Sequence, residues 1–263
     1  MVVYTHGQHE SVFRSHRWRT AGNSAAYLLP HIKAGDSVLD VGCGTGTITA
    51  GLAVAAAPGR LSAVDSSAEA LEQARATMSG RDDVTYHLGD VHQLDFPDGA
   101  FDVVHAHQVL QHVADPVAAL REMRRVTRPG GVVGVRDADY AAMTWYPDEP
   151  ALDAWLDLYR RLARANGGEP DAGRRLLAWA HAAGFDDVTA TASTWCYATA
   201  EDRAMWGGTW ADRMRTSAIG QQAMAGGYAT ADDLARMADA FRHWAEQADG
   251  WFVVVHGEIV ARR

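Results

Sequence analysis

A run of small residues interrupts a hydrophobic stretch in the first fifth of the chain. The segment Val38–Thr47 has the sequence VLDVGCGTGT, in which an apolar strand leads into Gly42, Gly44 and Gly46 and then into a helical stretch. Glycine permits a tight turn and lets a ligand approach the backbone without a Cβ in the way. The order strand, glycine turn, helix therefore predicts a ligand-binding loop.

Three aspartates accompany this loop at spacings that suit a nucleoside. Asp65 ends a strand-like segment, where a carboxylate can accept hydrogen bonds from both hydroxyls of a ribose. Asp90 can accept from the exocyclic amine of adenine while Val91 packs on the ring, although an ordinary turn is the alternative for both acids. Asp40 lies inside the first strand, so we expect it to orient the loop, to pair with a ligand cation or to hydrogen-bond structurally.

From residue 37 onward, short apolar runs alternate with helical segments, which is the pattern of βαβ units around a parallel sheet. Asp115 is a natural N-cap for a helix that starts at Pro116 and ends at Thr127, and Ala68–Met78 forms another helix. The predicted strands are Ser37–Val41, Leu61–Val64, Val84–Leu88, Phe101–Ala106, Gly131–Arg136, Val188–Tyr197 and Trp251–Val260.

The regular alternation breaks after Arg136. Residues 141–168 contain an aromatic-rich loop and a helix, Ala172–Ala183 forms a further helix, and residues 200–248 form a helical insertion. Ligands of open α/β sheets lie beyond the carboxyl ends of the strands, so we expect these insertions to cap a pocket there. The sequence predicts one domain over 1–263, with a lid at 1–30, a core at 31–140 and cap insertions at 141–168 and 200–248.

Composition excludes several classes of function. A formal net charge of −9 leaves no broad basic surface for nucleic acid. Cys43 and Cys196 lack the spacing of a zinc site, so we expect no metal and a reducing compartment. No signal-peptide pattern and no stretch of roughly 18 apolar residues is present. We expect a cytoplasmic monomer or homodimer that binds neither membrane nor nucleic acid.

Four segments together resemble class I S-adenosylmethionine-dependent methyltransferases (EC 2.1.1.-), in particular the branch of the ubiquinone/menaquinone-type C-methyltransferases. They are VLDVGCGTG, VDSS, LGDVHQLDFPDGAFDVVHAHQVLQHVADP and REMRRVTRPGG. The resemblance covers about residues 35–136. It implies a Rossmann-like, mostly parallel seven-stranded α/β sheet of order 3-2-1-4-5-7-6 whose last strand is antiparallel. Residues 141–250 match less clearly, so the acceptor pocket is not carried over.

The resemblance also implies where the cofactor lies. The methionine part of S-adenosylmethionine is expected near Asp40–Gly46, the ribose on Asp65, the adenine beside Asp90 and Val91, and His107 next to the cofactor, with S-adenosylhomocysteine as the product. The predicted cofactor-binding residues are Asp40, Gly42, Cys43, Gly44, Gly46, Asp65, Ser66, Gly89, Asp90, Val91, His107, His112 and Arg19.

Two other functions compete with this interpretation. A dinucleotide loop has the pattern GxGxxG, but Thr47 stands where the third glycine would fall, which disfavours an NAD-dependent oxidoreductase. The fold can also bind S-adenosylmethionine while the cap catalyses a cyclisation or a decarboxylation, or serve only as a binding module.

Methyl transfer from a sulfonium is an in-line displacement, so the protein mainly aligns the reactants, excludes water and removes a proton where needed. Candidate catalytic residues are His9, His107 and Asp137. Histidine suits the role of a base because its pKa lies near working pH. Arg14 or Arg19 is a candidate carboxylate clamp and His9 or His16 a candidate base, while an exposed terminal helix is the alternative for this N-terminal segment.

The cap is rich in aromatic residues, which suit either a core or a pocket for a flat acceptor. Arg213 can pair with an acidic group of the substrate or form a surface salt bridge. The predicted substrate-binding residues are Tyr4, Tyr140, Trp145, Trp195, Trp206 and Arg213. The predicted reaction is O- or C-methylation of a small aromatic or polyketide-like molecule of secondary metabolism.

Overall fold

The computed structural model describes residues 18–263, which form a seven-stranded sheet surrounded by helices. The strand order is β3-β2-β1-β4-β5-β7-β6, and β7 runs antiparallel to both β5 and β6. This confirms the predicted fold and strand order. The strands are β1 Val38–Val41, β2 Leu61–Asp65, β3 Val84–Leu88, β4 Phe101–His107, β5 Thr127–Tyr146, β6 Asp187–Tyr197 and β7 Trp251–Arg262.

Most helices of the described chain begin after a residue whose side chain caps the first turn. Asp115, the predicted N-cap, and Ser67 each accept a hydrogen bond from a backbone N–H of the first turn. The helices are α1 Ala21–Ser24, α2 Thr47–Ala56, α3 Ala68–Thr77, α4 Pro116–Val126, α5 Pro150–Ala165, α6 Leu176–Ala182, α7 Ala200–Thr216, α8 Ala218–Ala225 and α9 Ala231–Glu246.

The first strand is the centre from which the site is built. All four residues of β1 are buried, and the strand pairs in parallel with β2 on one side and β4 on the other. Parallel strands end at the same edge of the sheet. The loop after β1 therefore meets the carboxyl ends of β2 and β4.

The fifth strand is longer than predicted. The sequence predicts a strand over Gly131–Arg136 that is followed by a loop, whereas β5 continues to Tyr146. It pairs with β7 as far as Asp139 and resumes pairing at Thr144 after a register shift. Two of its carboxyl groups have partners on distant parts of the chain. Asp137 accepts a hydrogen bond at Oδ1 from the backbone N–H of Gln111, while its Oδ2 has no partner among the described residues, and Asp139 pairs with Arg174. These partners let a buried strand contain acidic residues that a local pattern assigns to a loop.

Helices α5, α7 and α9 pack together over the sheet through aromatic residues. The rings of Trp155 and Phe241 lie 4.9 Å apart edge to face, and those of Trp155 and Trp210 lie 4.5 Å apart. All three side chains are buried. Such contacts add to the free energy of burial and fix the helices against β5 and β7. No helix within residues 18–263 combines the length and apolarity needed to cross a membrane.

Candidate functional site

The loop between β1 and α2 has a backbone that only glycine adopts without strain. The φ angles of Gly42, Gly44 and Gly46 are 70°, 55° and 79°, in the left-handed region. A Cβ on Gly42 would lie 2.4 Å from a Val109 methyl, and one on Gly46 would lie 3.0 Å from the backbone of Ala74. The glycines therefore allow both the turn and the close approach of neighbouring elements.

Asp65 fastens this loop to the end of β2. Its Oδ2 accepts a hydrogen bond of 2.9 Å from the Gly44 N–H, and its Oδ1 accepts one of 2.9 Å from the Ser67 N–H. Burial raises the pKa of the carboxyl above its usual value, while the two N–H donors oppose that rise. The carboxylate also lines a cavity, and each of its oxygens retains acceptor capacity for a ligand.

That cavity has a volume of about 640 Å³ and two chemically different halves. The glycine-loop half comprises the β1–α2 loop and the residues that follow β2 and β3. The aromatic half comprises residues of β5, β6, β7 and α7. The glycine-loop half is lined by Gly42, Cys43, Gly44, Thr45, Asp65, Ser66, Gly89, Asp90 and Val91, and the aromatic half by Ala138, Tyr140, Met143, Trp195, Tyr197, Trp206, Trp210, Arg213 and Val254.

His107 lies at the end of β4 and lines this cavity. Its ring centroid is 5.5 Å from that of Trp195, and the residue is 6% exposed. Within the described chain neither ring nitrogen has a hydrogen-bond partner. Burial, reinforced by Arg136 and Arg19, lowers the pKa of His107 well below its ordinary value. The imidazole is therefore neutral at pH 7, with one N–H donor and one acceptor nitrogen.

Gln108, the next residue, is a lining residue that the sequence did not reveal. Its φ of 53° is unusual for a residue with a side chain. Its side-chain amide donates to Nε2 of His256 at 2.9 Å. His256 is fully buried in β7, 148 positions along the chain. A strained backbone held by a distant partner leaves no local pattern, so no signal in the sequence pointed to this position.

Two arginines line the cavity against aromatic rings. The Cζ of Arg19 lies 5.3 Å from the ring centroid of Trp195, and that of Arg213 lies 4.9 Å from the ring centroid of Trp210. Both are within the range of cation–π attraction. Arg213 is only 4% exposed although it carries a charge.

Asp40 lies beneath the loop and not on the cavity wall. It is 2% exposed, its Oδ1 lies 2.8 Å from Nδ1 of His105, and its Oδ2 accepts a hydrogen bond of 2.6 Å from the hydroxyl of Thr49. The carboxylate thus ties β1 to α2 and β4. Of the roles expected for Asp40, this geometry matches the orientation of the loop.

Three further predicted residues also lie behind the lining. Asp137 is fully buried, its Oδ1 accepts a hydrogen bond of 3.0 Å from the Gln111 N–H, and burial raises its pKa to about 7. Trp145 packs its ring 5.4 Å from that of Phe252, and Gly46 packs on α3. His9 and Tyr4 lie outside the described residues.

The remaining predicted residues are brought together on one surface. Elements from positions 19 to 213 contribute to it, which no short segment could reveal. These residues are Arg19, Gly42, Cys43, Gly44, Asp65, Ser66, Gly89, Asp90, Val91, His107, His112, Tyr140, Trp195, Trp206 and Arg213. Over residues 18–263, no three His, Cys, Asp or Glu side chains are grouped so as to hold a metal ion.

Comparison with known proteins finds relatives that align with nearly all of this chain. A family model described as a methyltransferase domain matches residues 39–135. An uncharacterised methyltransferase of Schizosaccharomyces pombe is 35% identical over 279 residues, which cover 100% of this chain and 97% of that protein. The ltbC protein of Aspergillus luteorubrus, which is named as a methyltransferase, is 31% identical to this chain. The match covers 98% of this chain and 96% of the ltbC protein.

Solved structures share the fold at lower identity. A crystal structure of a Bacillus halodurans protein, also named as a methyltransferase, matches with a TM-score of 0.58. The two sequences are 19% identical, and the match covers 90% of this chain and 97% of the other. At that identity the likeness establishes the architecture alone.

Proposed function

The chain belongs to the methyltransferase family, and on this premise we propose that it transfers the methyl group of S-adenosylmethionine to an oxygen or carbon atom of a small aromatic or polyketide-like acceptor. One observation carries the proposal: a single cavity of about 640 Å³ joins the glycine loop to an aromatic chamber. Its volume falls in the range of about 300–1,000 Å³ typical of small-molecule sites. When bound, S-adenosylmethionine supplies an electrophilic methyl group on a sulfonium.

The glycine-loop half suits the adenosyl part of the cofactor. Asp65 presents a carboxylate, already oriented by two N–H groups, to the hydroxyls of the ribose. Asp90 and the buried Val91 line the same half and suit the amine and the face of adenine. Arg19 lines the cavity beside Trp195, where its guanidinium suits the carboxylate of the methionine part. The residues present therefore fit the cofactor.

His107 is the proposed catalytic residue. Its neutral imidazole lines the cavity in contact with Trp195, so its acceptor nitrogen can take a hydrogen bond, and then the proton, from an acceptor hydroxyl or acidic carbon. The depressed pKa keeps that nitrogen unprotonated near pH 7. Asp137, being fully buried behind the lining, is assigned no contact with the acceptor.

Labelled methyl donor tests this proposal. Purified protein is incubated with S-adenosylmethionine labelled in the methyl group and with extracts of small metabolites, and products are separated by mass. We expect a small molecule that gains one labelled methyl group and an equal amount of S-adenosylhomocysteine. A product that forms without label would favour a cyclase or decarboxylase instead. Absence of both label transfer and cofactor binding would refute the proposal.

A further inference from the structure

Gln108 lies where the two halves of the cavity meet. It lines the cavity and is followed by Val109, which packs so closely on the glycine loop that a Cβ on Gly42 would lie 2.4 Å from its methyl. The Gln108 amide reaches His256, whose ring centroid is 4.4 Å from that of Trp195 in the aromatic half. With a cofactor in the glycine-loop half, its methyl group and the acceptor would meet at this junction.

The backbone of Gln108 is held in an unfavourable conformation. Among residues 18–263 it is the only residue other than glycine with a positive φ angle. Two hydrogen bonds hold it there: its backbone N–H donates to the carbonyl of Arg136 at 2.7 Å, and its side-chain Nε2 donates to Nε2 of His256 at 2.9 Å. Such strain persists only where the surroundings impose it, and it is concentrated at ligand-binding and active sites.

The hydrogen bond to His256 determines which atom of the amide is left for a ligand. Burial, reinforced by Arg136 and Arg19, lowers the pKa of His256 well below its ordinary value, so its neutral ring has an acceptor nitrogen near pH 7. Because the amide Nε2 donates to that nitrogen, Oε1 faces away from His256. Within residues 18–263 the Gln108 side chain forms no second hydrogen bond, and it is partly exposed on the cavity wall. Its Oε1 can therefore accept from a ligand.

The proposed base, His107, lies directly beside this amide. The rings of His107 and His256 stack with centroids 6.0 Å apart, and the Gln108 amide binds the same His256 ring. The imidazole and the amide are thus both held next to one side chain. A ligand that gives a proton to His107 brings its neighbouring groups within reach of the amide. A hydroxyl group on the next carbon, or the one after it, is the simplest donor for Oε1.

We propose that Gln108 binds the methyl acceptor by accepting, at Oε1, a hydrogen bond from a hydroxyl one or two carbons away from the group that gives its proton to His107. The acceptor is thus an aromatic or enolic compound with two neighbouring oxygen groups. This inference rests on the proposed function, because it assumes that the cofactor occupies the glycine-loop half.

Dihydroxy compounds and their monomethyl ethers test this role, because the ether keeps the oxygen but cannot donate. Calorimetric titration is performed in saturating S-adenosylhomocysteine, which has no methyl group to transfer. It compares 1,2-dihydroxybenzene, 1,3-dihydroxybenzene and 2,3-dihydroxynaphthalene with the three matching ethers. For at least one pair, we expect the wild-type protein to bind the dihydroxy compound about 10-fold tighter, since the ether leaves Oε1 without a donor.

Two substitutions of Gln108 distinguish the hydrogen bond from the shape of the site. Gln108→Met keeps the length of the side chain without an acceptor oxygen, so the preference should fall to about twofold or less, which measures the effect of ligand size alone. Gln108→Glu keeps an acceptor oxygen and should keep most of the preference. A purely structural role of Gln108 would not produce this difference between the two variants.

Gln221→Met is the matched control, because Gln221 is exposed on α8 and does not line the cavity. It should leave the preference unchanged. The affinity for S-adenosylhomocysteine should stay within about twofold of wild type in all three variants, which also shows that they are folded.

The possible results separate the two proposals. If the wild-type protein does not bind S-adenosylhomocysteine, the proposed function fails and this inference fails with it. If it binds but no dihydroxy compound exceeds its ether, or if Gln108→Met keeps the preference, the role of Gln108 is refuted while the methyltransferase stands. If Gln108→Met instead loses affinity for S-adenosylhomocysteine, Gln108 contacts the cofactor and the inference is likewise overturned.

Discussion

His107 combines burial with ring nitrogens that have no hydrogen-bond partner in the described chain, and this sets what the residue can do. A buried imidazole near two guanidinium groups loses its charge. It then keeps an acceptor nitrogen even below pH 6.5, the usual pKa of histidine. The chemistry of this position therefore follows from its surroundings as much as from its residue type.

Replacing His107 by leucine should impair turnover without impairing cofactor binding. Loss of the acceptor nitrogen is expected to lower kcat about 100- to 10,000-fold, as for other general bases. Label transfer to the acceptor found above measures kcat, and calorimetry with S-adenosylhomocysteine should give a Kd within about twofold of wild type. A variant that turns over normally would remove His107 from the mechanism.

Asp137 should make the stability of the protein depend on pH. Burial raises its pKa to about 7 in the folded state, whereas an unfolded aspartate has a pKa near about 3.9. Between about pH 4 and 7, the folded protein thus keeps a proton on this carboxyl, whereas the unfolded chain has released it. Over that window the carboxyl lowers the free energy of unfolding by about 1.4 kcal/mol per pH unit, and by a constant amount above it.

Asp137→Asn isolates this effect. The difference in free energy of unfolding between variant and wild type should grow in favour of the variant from pH 4 to 7 and level off by pH 8. Urea unfolding at each pH measures this difference. A change in stability caused by the amide itself is the same at every pH, so it shifts the plot of the difference against pH without changing its shape. A difference that does not vary with pH would contradict the assigned ionisation.

At the scale of elements, the strand–glycine turn–helix unit was predictable because its signals are local. Three glycines, a preceding apolar run and a following helix lie within ten residues, and the observed positive φ angles explain the residue type. The continuation of β5 to Tyr146 was not predictable. The carboxyl groups of Asp137 and Asp139 have partners in Gln111 and Arg174, which lie 26 and 35 positions away.

Gly42→Ala should weaken cofactor binding through the backbone. The φ of 70° is unfavourable for alanine, and the new Cβ would lie 2.4 Å from Val109, which also lines the cavity. We expect at least about a 10-fold loss of affinity for S-adenosylhomocysteine, because the contact with Val109 displaces the loop that lines the cavity; a 10-fold loss corresponds to about 1.4 kcal/mol.

Gly80→Ala is the control for strain alone. Gly80 has a φ of 84°, but a Cβ there meets no atom within 4 Å, and the residue does not line the cavity. Its substitution should lower stability and leave affinity unchanged. Equal affinities of the two variants for the ligand would show that the loop backbone does not contact it.

At the scale of the whole molecule, the cavity lies where two hydrophobic clusters meet. Val41, Val64 and Val91 belong to the cluster around the parallel strands, whereas the aromatic half belongs to the cluster of the cap. The sequence predicted the first group because its motif resembles a known family. The sequence also predicted substrate-binding aromatic residues, but it did not distinguish Trp206, which lines the cavity, from Trp145, which packs on Phe252 behind the lining. That distinction depends on how helices and strands distant in sequence pack.

The same reasoning applies to Asp40, whose partner His105 lies 65 positions away on β4. The sequence showed that the carboxylate needs a partner but not which one. Local patterns therefore predicted the elements and the glycine-loop half of the cavity, whereas tertiary packing determines the aromatic half.

The central claim is that Asp65 and the glycine loop hold an adenosyl cofactor, and titration with S-adenosylhomocysteine tests it most directly. Asp65→Ala is compared with Asp82→Ala, which changes an exposed aspartate away from the cavity. We predict one binding site per chain, a loss of about 1–3 kcal/mol for Asp65→Ala and no loss for Asp82→Ala. Absence of binding to the wild-type protein, or equal affinity in all three proteins, would contradict this account.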